Sequence, residues 1–145
     1  MIRVLLADDE ELSSTLRMLL QLEPDIRVVT QVSRADAIPS AMIKHCPDVM
    51  VLGVGMLGTE GLTAANLYNN RHCRIILSMS IGTPGLLRDA MAVGISGFLD
   101  NSSAEDLVQA IHRVHEGGRY IDTDLAAGSM GTGDGLSALG RDARR

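Results

Sequence analysis

Tryptophan is absent from this 145-residue chain, phenylalanine occurs once and tyrosine twice. Any core must therefore be built from Leu, Ile, Val, Met and Ala. Positive charge is also scarce, with 13 Lys and Arg against 18 Asp and Glu and a net charge of -5. Sequence-independent nucleic-acid binding needs a basic surface, so this segment is excluded from that class, although a basic domain beyond residue 145 is not. No apolar run approaches the ~18–20 residues that cross a bilayer, which predicts no membrane partner. The first residues pass straight into a charged, strand-like segment and lack the build of a signal peptide. Only two cysteines occur, Cys46 and Cys73, without CxxC spacing. They read as free thiols in a reducing cytoplasm, the expected location.

What the chain does contain is alternation. Strand patterns fall at 2–7, 26–31, 48–52, 73–79 and 96–99, and helix patterns at 11–22, 36–45, 60–70, 84–93 and 103–115. Leu12, Leu16, Leu19 and Leu20 follow the spacing of one apolar helix face, as do Leu107, Ala110, Ile111 and Val114. Ser103 suits the cap of the last helix. Pro39 is tolerated in a first helical turn if Asp36 is the cap of the second. Continuous apolar strands alternating with helices predict a parallel sheet covered on both faces. The expected fold is α/β, a flavodoxin-like (βα)5 three-layer sandwich of sheet order 2-1-3-4-5. That order opens a crevice beyond the carboxyl ends of the first and third strands, where Asp8, Asp9 and Gly53 stand. Residues 1–122 form the expected domain. Residues 123–145, rich in glycine and ending Arg141-Asp-Ala-Arg-Arg145, read as a linker, with 121–127 a short helical or extended tether.

Four stretches together carry a family resemblance: Arg3-Val-Leu-Leu-Ala-Asp8-Asp9-Glu, Cys46-Pro-Asp48-Val, Ala92-Val-Gly94-Ile-Ser-Gly97-Phe98-Leu and Glu116-Gly-Gly-Arg-Tyr120. The chain resembles the receiver domain of bacterial two-component response regulators, in the NarL/FixJ (LuxR-type) branch. The resemblance covers roughly residues 1–125. It implies an acidic pair and a third-strand aspartate around magnesium, a phosphoryl group on that aspartate, and a hydroxyl and a lysine contacting its oxygens. Asp8 and Asp9 match the pair, and Ser78 the hydroxyl position, with Ser80 the alternative. Gly53 stands where the phosphoacceptor belongs, Asn101 where the lysine belongs and Leu57 where a proline is usual. Phe98 matches the switch aromatic, and equally reads as a core side chain.

Glycine offers no nucleophile, so an aspartyl phosphate cannot form at position 53. Magnesium wants an octahedron of oxygens and loses one carboxylate here. No resident metal or other cofactor is expected; Asp8 and Asp9 remain weak candidates for a divalent cation such as magnesium. Asn101 can hydrogen-bond but cannot neutralise a phosphoryl dianion. Asp48 lies five residues before Gly53, roughly 16 Å along a strand, too far to substitute. Asp100 adds charge near the strand ends without a mechanism as acceptor. Gly53-Val-Gly55-Met-Leu-Gly58 also spells GxGxxG, but it follows the third strand, and Cys73 to Ser80 contains no acid to hold a ribose. His112 and His115 sit at i, i+3 with no third ligand nearby and read as exposed helix histidines.

The sequence thus points to a phosphorylation-independent receiver domain of a transcriptional regulator, not an enzyme. It would act through homodimerisation and the binding of a small metabolite in the emptied crevice. The stretch Gly133 to Asp142 loosely resembles the entry to a LuxR-type helix-turn-helix domain, which would contact DNA outside this chain. The first and last helices, or the fourth helix with the fifth strand and helix, are the family's usual dimer surfaces. The alternative is a stand-alone interaction module without DNA-binding output.

Overall fold

In a computed structural model, the strand β1, Ile2–Ala7, occupies an interior position of a six-stranded parallel sheet. The structure describes residues 1–56, 72–79, 84–92, 94–100 and 106–121. The other strands are β2 (Ile26–Val32), β3 (Val49–Gly53), β4 (Arg74–Met79), β5 (Gly97–Asp100) and β6 (Tyr120–Ile121). Their order, β2-β1-β3-β4-β5-β6, contains the expected 2-1-3-4-5 and adds one strand. The added strand holds Tyr120 and Ile121 in the sheet, and residues 122–127 of the expected tether lie outside the described residues. Two residues are too short to show a strand period, and β6 is held by its pairing with Gly97 and Phe98.

The described helices are α1 (Glu10–Leu20), α2 (Ile38–His45), α3 (Pro84–Ala92) and α4 (Asp106–His115). The pattern at 60–70 and the cap position Ser103 lie outside the described residues. Pro39 falls in the first turn of α2, but Asp36 is not its cap. A 3-10 turn at Ala35–Ala37 leads into the helix, and the Asp36 carboxylate instead pairs with Arg34 at 2.7 Å. In α1 the inward stripe is Ser13, Leu16 and Leu20, one step round from the leucine spacing. Leu19, expected on that face, is left at its edge and exposed.

Alternation along the strands divides the core in two. Leu5, Ala7, Met50, Leu52, Ile75, Leu77 and Phe98 face the side covered by α2 and α3. Val4, Leu6, Val49, Val51, Ile76 and Leu99 face α1 and α4, where Leu107, Ala110, Ile111 and Val114 are all buried. Phe98 has no solvent-accessible surface and is the largest side chain in its cluster. Gly117, at φ +94°, ends α4 in the left-handed region, which frees the chain to turn back toward β6.

Asp48 staples the amino-terminal ends of β1 and β3. Its carboxylate accepts from the Arg3 backbone N–H at 2.9 Å, and its own N–H donates to the Arg3 carbonyl at 2.8 Å. It therefore sits at the end of the sheet opposite Gly53, as the strand arithmetic requires. Both cysteines are free thiols, Cys46 exposed and Cys73 buried. Burial, with a smaller push from the Asp48 charge, raises the Cys73 thiol to about 12.

Candidate functional site: the carboxyl ends of strands one and three

β1 ends at Ala7 opposite Leu52 of β3, so Asp8 emerges beside Gly53, the last residue of its strand. Gly53 in turn pairs in register with Ser78 of β4, which is buried. The parallel register thus gathers Asp8, Asp9, Gly53 and Ser78 at one sheet end. Asp100 ends β5 opposite Met79 at the same end. Asn101, Leu57 and Ser80 lie outside the described residues, as does the GxGxxG run beyond Met56. Its described part, Val54–Met56, forms a 3-10 turn.

The two aspartates do different work. Asp9 is the cap of α1, its Oδ1 accepting from the Leu12 N–H at 2.9 Å. This satisfies one orphan donor of the first turn and places negative charge at the helix's positive end. Asp8 turns inward. Its Oδ1 accepts from the Asp9 N–H at 2.8 Å, and its carboxylate lies where a Cβ on Gly53 would stand. The space that a side chain at position 53 would take is therefore filled by Asp8. Burial raises the Asp8 carboxyl above the usual carboxylate range; the Asp9 N–H opposes this, and the Asp9 charge adds to it.

This donor set does not fit magnesium. Gly53 supplies no oxygen ligand from a side chain, one Asp9 oxygen is committed to the helix cap, and Asp8 is folded against Gly53. Among the described residues no group of three His, Cys, Asp or Glu is placed to hold a metal ion. His112 lies far from this end and pairs with Asp25 at 2.7 Å, tying α4 to the residue before β2. That contact holds the Asp25 carboxyl below its usual range.

The reading from sequence passed over Ser13. It is almost wholly buried on the inner stripe of α1, and its Oγ has no hydrogen-bond partner. A serine between leucines on an apolar stripe was the available signal. It lines a cavity of about 300 Å³ with Asp8, Glu10, Gln31, Val32 and Ser33, on the β2 side of the acidic pair.

No family model matches the chain. It is 32% identical over 127 residues to the transcriptional regulatory protein DesR of Bacillus subtilis, covering 86% of this chain and 64% of DesR. The chain thus spans less than two thirds of that relative's length. Among solved structures, the signal receiver domain of NarL from Mycobacterium tuberculosis superposes with a TM-score of 0.70 at 26% identity. That match covers 80% of this chain and 97% of NarL's. The RcsB response regulator of Salmonella typhimurium reaches a TM-score of 0.81 at 19% identity, covering 94% of this chain and 72% of that one. A further structure holds two RcsB dimers bound to two parallel DNAs, with a TM-score of 0.76 at 17% identity and cover of 88% and 67%. The chain thus has the flavodoxin-like fold of receiver domains, and its relatives in sequence are transcriptional response regulators.

Proposed function

We propose that this chain is the receiver-like part of a NarL/FixJ (LuxR-type) transcriptional regulator that switches without phosphorylation. The observation that carries the reading is the Gly53–Asp8 arrangement. A residue without a side chain holds the acceptor position, and the Asp8 carboxylate fills the space in front of it. Output then comes from self-association and from small-molecule binding at the sheet's carboxyl end, not from a covalent group. DNA contact belongs to a helix-turn-helix segment beyond residue 145, in keeping with the greater length of DesR. Met18 and Leu22, both largely exposed at the carboxyl end of α1, supply apolar surface for a homodimer. Among the described residues no helix is long and apolar enough to cross a membrane, in keeping with a regulator working in the cytoplasm.

Sedimentation of the protein with magnesium and beryllofluoride, a phosphoryl mimic that docks on an acceptor carboxylate, tests this. The expected result is an unchanged association constant. A beryllofluoride-dependent shift in oligomeric state would contradict the proposal.

A further inference from the structure

The three atoms that a Cβ on Gly53 would meet first are the Cγ and both carboxylate oxygens of Asp8, all at overlapping distance. None of the three belongs to the backbone. Gly53 is an ordinary strand residue, paired in register with Ser78, and its φ is not positive. No left-handed conformation therefore requires glycine there. What a side chain at position 53 would displace is the far end of one flexible side chain. The strands give way less readily, because β1 and β3 are paired from Val4 with Val49 to Ala7 with Leu52 and are buried there.

The Asp8 backbone is anchored to β2, its N–H donating to the Val32 carbonyl at 3.3 Å. Its side chain is held by one hydrogen bond, Oδ1 accepting from the Asp9 N–H at 2.8 Å. Asp9 in turn opens α1. Its Oδ1 accepts from the Leu12 N–H at 2.9 Å and its carbonyl from the Ser13 N–H at 3.0 Å. A line of contacts thus runs from Gly53 through the Asp8 carboxylate and the Asp9 N–H into the first turn of α1. Burial disfavours the charged Asp8 carboxylate in this place, while the Asp9 N–H favours it. The two effects oppose each other, so a modest differential interaction is enough to move the side chain.

We propose that Asp8 is a stopper with two positions. Inward, it closes the carboxyl end of β1 and β3 over Gly53. Outward, by a turn of its χ1, it opens the space beside Gly53 and frees the Asp9 N–H at the start of α1. The device rests on the reading of this sheet end as a noncovalent switch and supplies its moving part. Any group that enters the space beside Gly53 pushes Asp8 out, and the lost hydrogen bond carries the change to α1.

Gly53→Ala puts the smallest such group in place, a methyl that adds neither charge nor a strained φ. The test compares amide spectra, hydrogen exchange and thermal midpoints of the whole chain for the parent, Gly53→Ala, Asp8→Ala and the double variant. Gly53→Ala should move the Asp9 amide proton upfield, shift the amides of residues 10–13 and speed Asp9 exchange several-fold. Asp8→Ala should do the same. With Asp8→Ala already present, adding Gly53→Ala should change neither the Asp9 amide nor the midpoint. If Gly53→Ala alone fails to fold, the double variant should fold, since losing the Asp8 carboxylate removes the collision. An Asp9 amide left in place by either single substitution would overturn the proposal. So would effects of the two substitutions that add in full, or a double variant that does not fold. Phosphoryl incorporation is a separate readout, so failure here leaves the absence of an acceptor at Gly53 standing.

Discussion

Asp8 carries more of the physical interest of this chain than Gly53, whose absent side chain it covers. Its carboxyl is raised by burial, so the folded state binds a proton there more readily than the unfolded chain does. For a raised acid the sign is unfavourable at neutral pH. The charged carboxylate costs stability above its folded pKa, and the cost fades as pH falls from there toward the usual carboxylate value of 3.8. Asp8→Asn keeps an oxygen for the Asp9 N–H and removes the charge. We expect urea unfolding at neutral pH to show the variant more stable than the parent, with the gap closing as the medium is made acidic. A variant less stable at neutral pH would mean that Asp8 has a favourable partner unaccounted for. At this scale the sequence was informative about what is missing, since Gly53 is legible as a letter. It was silent on the response, because the inward turn of Asp8 depends on a contact across two strands.

Elements were the most legible level. Strand periods placed five strands to within a residue or two; β1 and β3 are buried on both faces and read as apolar runs, while the edge strand β2 is only partly buried. The departures have local causes. β6 is defined by its neighbour and not by its own pattern, and the α2 start is displaced by a 3-10 turn that Asp36 does not cap. Leu107, Ala110, Ile111 and Val114 were read correctly as one face of α4, and all four are buried against the sheet. Ile111 is fully enclosed in that cluster. Ile111→Ala should therefore lower unfolding free energy by about 2–5 kcal/mol, measured by urea titration, through lost burial and the cavity left behind. A loss below about 1 kcal/mol would indicate that α4 is not packed as described.

At the scale of the molecule, one parallel sheet sets what the protein can do. The winding reversal at β1 and β3 gathers Asp8, Asp9, Gly53 and Ser78 at one end, with the cavity lined by Ser13 alongside. The end was legible from sequence, since the alternation fits order 2-1-3-4-5 and that order places the crevice at the carboxyl ends of the first and third strands. The Ser13 cavity was not predictable, because it depends on how α1 leans on β2. The proposed function keeps a receiver's architecture without its covalent chemistry, and regulation in that proposal runs through noncovalent binding and association.

One mass measurement tests phosphorylation independence most directly. The intact chain, incubated with acetyl phosphate and magnesium, should keep the mass of its unmodified sequence, with no acid-labile phosphate released. Addition of a single phosphoryl group on a carboxylate at the β1–β3 end, lost on acid treatment and abolished by Asp8→Asn, would contradict it.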